Sequence, residues 1–381
     1  MNAKTVFFIL SGLSLIAYLA ISFSESSGSA KIALLSGGQE KNANVALKFN
    51  GAGDFTILQF TDLHYGKDDE INKKTTEVQE YLINLIKPDL VVITGDAISG
   101  NDWDKLNPFY QQKWEQFTAP YRKLKVPYAY TLGNHDTDAD FTGEQIEQLE
   151  KTHPYSLYNG TSVIDPEGNS NYVIPVYSSI DWLKTTPAAL LWMFDTKKEN
   201  CLKIPNSWGC ITQNQIDWFK GVTDANKNGH GERISGLAFF HIPLPEYMTM
   251  WNEALTYGNK DDNVNCPKIN TGAFEAFLEK SSIKGMFCGH DHTNDYGGNY
   301  KGIELVYGRK TGYGAKGPLG YKGARIIRLK EQLSSDMKSV DFTFVHEIVE
   351  ENGNIIPNPA PRWQGDKMHQ EMCHHYNDPT F

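Results

Sequence analysis

The chain has 381 residues, of which 40% are hydrophobic and 12% aromatic. This length and apolar content suffice for one large or two medium domains with a full core, which excludes a disordered tail or a disulfide-held miniprotein. Lys and Arg total 36 against 46 Asp and Glu, giving a formal charge of -10. Because binding to a phosphate backbone needs a basic face, this balance argues against nucleic acid as a partner.

The N-terminus carries an apolar run over residues 6–23, preceded by Lys4 and followed by small and polar residues at 24–30. This order is typical of a secretory signal peptide, cleaved near Gly28 or Ala30. The alternative is an uncleaved anchor, since the run lies at the lower edge of what spans ~30 Å of hydrocarbon. We therefore expect a protein that is secreted or faces the lumen of the secretory or endolysosomal pathway, or else a single-pass signal-anchored membrane protein.

Composition divides the chain into four segments. Residues 1–30 form the signal peptide or anchor, 31–53 a Gly- and Asn-rich linker, 54–350 the main domain, and 351–381 a Pro- and Asn-rich tail that packs on the domain. The N-x-S/T sequon at Asn159 lies in a polar loop and predicts a surface N-glycan.

The five cysteines are interpreted for an oxidising compartment. Cys201 and Cys210 flank a short stretch containing Pro and Gly, so we expect them to close a small loop. Cys288 lies in an apolar run and is expected to be a buried thiol. Cys266 and Cys373 then remain to pair, which would hold the C-terminal tail.

Short apolar, β-rich runs bounded by turn residues predict five buried strands, over residues 55–60, 90–94, 128–132, 236–240 and 283–288. Amphipathic spacing predicts helices over residues 70–86, 144–151 and 271–279. Alternating strands and helices indicate an α/β fold whose sheets are covered on their faces. In such folds ligands bind beyond the carboxyl ends of the strands.

Each predicted strand is followed by side chains that bind metals: Asp62 and His64, Asp96, Asn134 and His135, His241, and His290 and His292. Carboxylate, amide and imidazole groups without a thiolate suit Fe, Zn or Mn. These groups exceed the needs of one ion, and Asp96 is the natural bridging carboxylate between two ions ~3.5–4 Å apart. Glycines directly before Asp96, Asn134 and His290 would permit sharp turns there. Although each piece alone is ordinary, their combination predicts a dinuclear metal site.

In chain order, the motifs DLH at 62–64, GD at 95–96, GNHD at 133–136, His241 and GHDH at 289–292 resemble those of the calcineurin-like metallophosphoesterase superfamily. The segments FHIPLPEY and GHDHTNDY resemble its divergent purple-acid-phosphatase-like branch. The resemblance runs from about Phe55 to about Arg328. It implies a four-layer α/β/β/α sandwich with the dinuclear site at one edge.

The resemblance also implies a role for each residue. The first ion would be bound by Asp62, His64 and His292, and the second by Asn134, His241 and His290, with Asp96 bridging both. His135 resembles the non-ligand histidine that protonates the leaving group or grips the phosphate, and Asp136 would orient its ring. A metal-bridging hydroxide would attack the phosphorus.

The chain departs from true purple acid phosphatases at Ser99, where those enzymes carry a tyrosinate ligand, so no iron–tyrosinate colour is expected. Two interpretations of Arg309 and Lys310 stay open, a contact with the substrate phosphate and a surface turn. His153 and Asp138 are candidates for the pocket lining. The pair at 374–375, two histidines beside Cys373, is expected to be solvated rather than a metal site.

These patterns predict a metal-dependent phosphoesterase that hydrolyses phosphate monoesters of a small phosphorylated substrate. One alternative is a phosphodiesterase acting on lipid or nucleotide diesters, and the other a catalytically silent binder of a phosphorylated ligand. We expect no nucleic-acid partner, and membrane contact only through an uncleaved N-terminal anchor.

Overall fold

The computed structural model describes residues 46–158, 168–315, 317 and 322–373. The predicted signal segment, Asn159, His374 and His375 lie outside these described residues. Within the described part of the chain, no helix combines the length and apolar character needed to cross a bilayer.

Two β-sheets form the centre of the domain. The first has six strands in the order β13-β12-β11-β1-β2-β3: β1 Asp54–Phe60, β2 Leu90–Thr94, β3 Tyr128–Thr131, β11 Gly323–Leu333, β12 Val340–Glu350 and β13 Ile355–Pro357. The second has eight in the order β14-β7-β9-β10-β8-β6-β5-β4: β4 Tyr172–Tyr177, β5 Pro187–Met193, β6 Gly236–Phe239, β7 Leu255–Tyr257, β8 Ile283–Cys288, β9 Gly297–Tyr300, β10 Ile303–Tyr307 and β14 Arg362–Trp363. Strands β1, β2 and β3 run parallel, as do β5, β6, β8 and β10. Their carboxyl ends therefore gather polar loops at common edges.

Six α-helices cover the outer faces of the sheets: α1 Asp69–Ile86, α2 Tyr110–Leu124, α3 Gly143–Glu150, α4 Gln213–Ala225, α5 Pro245–Glu253 and α6 Ala273–Lys280. Helix α1 begins where the Asp68 side chain accepts hydrogen bonds from the backbone of Glu70 and Ile71. It ends at Lys87, in the left-handed conformation just before Pro88. Helix α3 begins with a capping box between Thr142 and Gln145.

Three buried clusters show the order of the layers. One lies between the two sheets and includes Ile57 and Val92 from the first and Leu191 and Phe239 from the second. A second cluster packs the outer face of the first sheet against α1 and α2. The third packs the outer face of the second sheet against α4, α5 and α6. The structure thus confirms the predicted four-layer α/β/β/α sandwich.

All five predicted strands and all three predicted helices are present, with their ends within two residues of the expected positions. The patterns did not predict strands β4, β5, β7 and β9–β14 or helices α2, α4 and α5. Several of the missed strands are short, and β12 exposes much of one face, so they lack the continuous apolar run that marks a buried strand.

Both predicted disulfides are confirmed, Cys201–Cys210 and Cys266–Cys373, and Cys288 is buried without a disulfide partner. The last residues of the predicted linker contact the domain, since Leu47 and Phe49 are buried and bond to the backbone of Tyr177. The described tail, residues 351–373, contributes β13 and β14 to the two sheets.

Candidate metal centre

The loops after β1, β2, β3, β6 and β8 meet at one edge of the sandwich. The loop after β1 bonds to the loop after β2, because Asp62 N donates to Gly95 O over 3.1 Å and His64 N to Asp96 O over 2.9 Å. The backbone φ is positive at four non-glycine residues of these loops: Asp62, His64, Asp96 and His290. Such left-handed conformations are costly for these residue types and concentrate at functional sites. The turns aim the side chains of different strands at one point.

The glycines before Asp96, Asn134 and His290 are sterically required. A Cβ at Gly133 would lie 2.3 Å from the backbone nitrogen of Asp96, and one at Gly289 would lie 2.0 Å from Thr61 Oγ1. At Gly95, φ is +82° and a Cβ would lie 2.5 Å from a ring nitrogen of His241. The absence of these side chains lets the ligand-bearing loops approach one another.

The first ligand group comprises Asp62, His64 and His292. The Nε2 atoms of His64 and His292 lie 3.0 Å apart, and His292 Nε2 lies 3.4 Å from Asp62 Oδ1. Ligand atoms bonded to one ion at ~2.1 Å are ~3.0–3.4 Å apart at octahedral or tetrahedral angles, so this spacing suits a transition metal. Asp62 Oδ1 is buried and has no hydrogen-bond partner among the described residues, as expected for a donor atom kept for a cation.

The second ligand group comprises Asp96, His241 and His290, with Asn134 beside them. Around His241 Nε2 lie Asn134 Oδ1 at 3.0 Å, Asp96 Oδ2 at 3.3 Å and His290 Nδ1 at 3.3 Å. Asp96 Oδ2 also lies 3.6 Å from His64 Nε2 in the first group. The structure therefore places one carboxylate oxygen between the two groups, where the sequence predicted a bridging ligand.

The hydrogen bonding of His241 shows that this group fits a cation. His241 Nδ1 lies 2.8 Å from the carbonyl oxygen of Thr94, which only accepts, so Nδ1 carries a proton. In the neutral ring, Nε2 then carries a lone pair that faces the oxygens of Asn134 and Asp96. These oxygens repel the lone pair unless a positive charge lies between them. Burial lowers the pKa of His241, but Asp96 and Asp62 outweigh burial and raise it to about 10. The site thus favours a positive charge at this nitrogen, which a metal ion would supply.

His135 lies at the open side of the centre and is held by Asp138. The side chains of His135 and His292 are 31% and 20% exposed, whereas Asp96 and His241 are buried, so the centre is open to solvent on this side. His135 Nδ1 lies 3.0 Å from Asp138 Oδ2, and Asp138 Oδ1 accepts from Lys198 Nζ. Burial disfavours the charged ring, but Asp96 and Asp138 raise the pKa of His135 above its ordinary value.

The expectation that Asp136 orients the His135 ring is wrong. Asp136 is fully buried, and its two oxygens accept hydrogen bonds from the backbone N–H groups of Gly133, Asp96 and Ile98. The carboxylate therefore ties the loop after β3 to the loop after β2. Asp138, which was only a candidate for the pocket lining, takes the position beside the ring.

Other singled-out residues have definite positions. Ser99 Oγ lies 2.9 Å from His64 Nδ1, so it fixes the ring of a candidate ligand where purple acid phosphatases carry their tyrosinate. Neither Arg309 nor Lys310 lies in a surface turn, because both are buried. Arg309 pairs with Asp295, and Lys310 Nζ donates to the carbonyl oxygen of Asp62 over 2.9 Å.

His153 does not line the centre. Its ring contacts those of Trp114 and Tyr128 in the core beneath the first sheet. By contrast, sequence reasoning missed two residues near the centre, Lys198 and Trp208. The ring centroid of Trp208 lies 4.3 Å from that of His290. The nearby Cys201–Cys210 pair was the signal that this segment has a fixed shape.

A family model described as calcineurin-like phosphoesterase matches residues 55–294, a range that contains every candidate ligand named above. The chain belongs to the calcineurin-like phosphoesterase family. Both candidate ligand groups consist of residues within the range that the family model matches.

Curated relatives support a purple-acid-phosphatase-like branch of the family. The chain is 30% identical over 312 residues to the "Probable inactive purple acid phosphatase 29" of Arabidopsis thaliana, covering 74% of this chain and 78% of that protein. It is 32% identical over 273 residues to the phosphatase DCR2 of Saccharomyces cerevisiae, covering 64% of this chain and 45% of that protein. Among solved structures, a dimetal phosphatase from Danio rerio aligns with a TM-score of 0.49 at 14% identity, covering 76% of this chain and 98% of that one.

Proposed function

We propose that this protein is a two-metal phosphoesterase that hydrolyses phosphate monoesters of small molecules, outside the cell or in the lumen of the secretory or endolysosomal pathway. The observation that carries the proposal is Asp96 Oδ2, which lies within 3.6 Å of His64 in one ligand group and 3.3 Å of His241 in the other. A shared carboxylate of this kind is the arrangement that two-metal hydrolases need.

The chemistry divides between the ions and the side chains. Two bound cations of the Fe, Zn or Mn type would lower the pKa of a water and neutralise charge developing on the phosphoryl group. The chain's own residues orient these ligands, and His135 stands at the open side with Asp138 on its Nδ1. Because Asp138 accepts from Nδ1, Nε2 is left to face the substrate, where it binds a phosphate oxygen or protonates the leaving oxygen.

Two further observations support the details of the proposal. The yeast relative is named a phosphatase, which favours monoesters over the diesters that a phosphodiesterase would cleave. Two disulfides in one domain are typical of proteins that fold in an oxidising compartment, which supports export.

The second candidate function is a catalytically silent binder of a phosphorylated ligand, since three Arabidopsis relatives are named probable inactive purple acid phosphatases. Both the ligand set and His135 argue for activity here. Ser99 replaces a tyrosinate, yet it hydrogen-bonds a histidine that takes up a position in the first ligand group. The change from tyrosinate to imidazole therefore leaves a complete donor set.

The experiment is hydrolysis of p-nitrophenyl phosphate beside bis(p-nitrophenyl) phosphate, from acid to neutral pH, by the metal-loaded protein and by His135→Ala. We expect a preference for the monoester that is lost in the variant. A preference for the diester would replace the proposal with a phosphodiesterase. Turnover of neither ester by protein that retains two ions would support the silent binder.

A further inference from the structure

Residues 198–210, between β5 and α4, form a loop beside the metal centre whose first arm (198–201) and second arm (207–210) are joined by an isolated antiparallel bridge between Glu199 and Trp208. Gly209 N donates to Lys198 O over 3.1 Å, Asn200 N to Ser207 O over 2.6 Å, and Cys201 N to Trp208 O over 3.3 Å. The Cys201–Cys210 disulfide closes it. We call this segment the disulfide ladder.

The first arm of the disulfide ladder, residues 198–201, reaches the side of the centre where His135 lies. Lys198 Nζ donates to Asp138 Oδ1, while Asp138 Oδ2 accepts from His135 Nδ1. Burial raises the pKa of the Asp138 carboxyl, but His135 and Lys198 outweigh burial and hold it below its ordinary value. Lys198 thus keeps Asp138 charged and holds its carboxylate in place, so that the second oxygen, Oδ2, orients His135.

The second arm, residues 207–210, contacts the second ligand group. The Trp208 indole is buried and meets the ring of His290 at 4.3 Å between centroids and 82° between planes. This edge-to-face contact limits the rotation of His290, whose Nδ1 must stay near His241 Nε2. Trp208 therefore positions a ligand of the second group.

The backbone of the disulfide ladder is strained. Five non-glycine residues in and next to it have positive φ: Lys197, Asn200, Leu202, Lys203 and Asn206. A Cβ at Gly209 would lie 2.1 Å from the carbonyl oxygen of Thr196, so the second arm packs closely against the backbone that precedes the first arm. Such conformations persist only where other bonds hold them. The disulfide is the covalent bond that does so.

We propose that the disulfide ladder is a positioning element for both halves of the active site, with Trp208 holding His290 for the second ion, Lys198 holding His135 through Asp138, and the Cys201–Cys210 bond keeping both in place. This inference rests on the proposed function for Lys198 and on the metal centre alone for Trp208. Opening the disulfide should then have two effects at once: it weakens the binding of the second ion and it displaces His135.

The first test compares Trp208→Ala with Trp208→Phe, which keeps a ring against His290. Full-length protein loaded with Zn²⁺ is dialysed against graded EDTA, and the ions retained per chain are counted by elemental analysis. Loss of a side chain that orients a metal ligand lowers metal affinity ~10–100-fold, so Trp208→Ala should lose one ion at EDTA concentrations that leave two in the native protein. Trp208→Phe should keep two. Equal retention in Trp208→Ala and the native protein would overturn the role of Trp208.

The second test concerns His135. Lys198→Met should lower kcat for p-nitrophenyl phosphate about tenfold with little change in KM and with both ions kept, because only the orientation of the proton-transfer group is lost. Lys198→Arg, which keeps a donor to Asp138, should restore most of kcat. An unchanged kcat in Lys198→Met would overturn the role of Lys198.

The Cys201→Ser/Cys210→Ser double variant tests the whole inference, with Val345→Ala at an exposed position of β12, outside the disulfide ladder, as the control. The double variant should combine both defects, and Val345→Ala should show neither. A folded double variant that retains two ions and native kcat would overturn the proposal, and if it fails to fold, the Trp208 and Lys198 variants decide. Metal retention needs no turnover, so a native protein without phosphatase activity would refute the proposed function and still leave the Trp208 test decisive.

Discussion

At the scale of single residues, the metal centre depends on histidine rings whose orientation is fixed by a hydrogen bond to a neighbouring residue. His64 Nδ1 faces Ser99 and His241 Nδ1 faces the Thr94 carbonyl, so the opposite nitrogen of each ring is aimed at the site. His135 is oriented in the same way by Asp138. Hydrogen-bond partners of this kind determine which tautomer a histidine adopts. The division between ligand and non-ligand histidines is therefore testable by substitution.

Asp96→Asn and His135→Ala should both abolish turnover, for different reasons. Asp96→Asn removes the charge of the oxygen shared by both ligand groups, so bound metal should be lost with activity. His135→Ala removes the group that we propose transfers the proton, and this group lies outside both ligand groups, so kcat should fall ~10²–10⁴-fold with two ions kept. Elemental analysis beside steady-state kinetics measures both. Equal metal loss in the two variants would show that His135 is a ligand.

His346, which belongs to neither ligand group, predicts a dependence of stability on pH. Its Nδ1 accepts from Arg325 and Asn358, and burial lowers its pKa from 6.5 to about 4. Because the unfolded chain binds the proton first, His346 contributes stability above pH 6.5 that is lost as the pH falls towards 4. The loss is at most about 3 kcal/mol.

Urea unfolding between pH 7 and 4 checks this prediction. The free energy of unfolding of His346→Gln should fall less steeply over this range than that of the native protein. Identical slopes in both proteins would show that the ring is protonated in the folded state as easily as in the unfolded chain.

At the scale of elements, the site is made by turns that follow parallel strands. Each of β1, β2, β3, β6 and β8 ends two or three residues before a candidate ligand, and the sheets bring these ends to one edge. The turns are tight enough that glycine is needed beside the ligands, as at Gly133 and Gly289. The elements therefore fix the spacing of the ligands before any ion binds.

Gly133→Ala tests this dependence on the turns. The new methyl group would lie 2.3 Å from both the backbone nitrogen and Oδ1 of Asp96, so the loop after β2 must shift. We expect a loss of ~1–3 kcal/mol in the free energy of unfolding together with weakened metal binding. Gly221→Ala in α4 is the matched control, because nothing lies within 4 Å of its new Cβ. Urea unfolding and metal analysis measure the two effects, and a Gly133→Ala protein as stable and metal-replete as Gly221→Ala would contradict the prediction.

At the scale of the whole molecule, the C-terminal segment is part of the domain. Strand β14 pairs with β7, Lys367 O accepts from the Trp251 indole, and Gln370 bonds to the backbone of Val264. The Cys266–Cys373 disulfide joins positions 107 residues apart. A bond that closes so long a loop removes much of the conformational freedom of the unfolded chain.

Replacement of this disulfide in Cys266→Ser/Cys373→Ser should lower the free energy of unfolding by about 2–4 kcal/mol. The expected effect on residues 364–373 is faster amide hydrogen exchange, since their attachment to α5 and the loop after β7 depends on few side-chain contacts. Denaturant unfolding and hydrogen exchange check the two effects. Unchanged protection in this segment would mean that β14 and Gln370 hold it without the disulfide.

The sequence by itself determined the α/β class of the fold and the candidate ligands, because both leave local signals, whereas the four layers followed from the family resemblance. Buried strands such as residues 90–94 are continuous apolar runs, and glycines mark the turns that carry Asp96 and His290. The family follows from the same motifs. The two disulfides were also predictable from the positions of the cysteines.

Only the tertiary structure decided which residues support these ligands, because such contacts join distant parts of the chain. The sequence assigned the place beside His135 to Asp136, its direct neighbour in the chain, whereas the direction of the turn after β3 gives that place to Asp138. Lys198 and Trp208 carry no motif, and they reach the centre only because the disulfide ladder folds against two different loops. Residue type and spacing record what a side chain is able to do, whereas its partner depends on where separate loops meet in space.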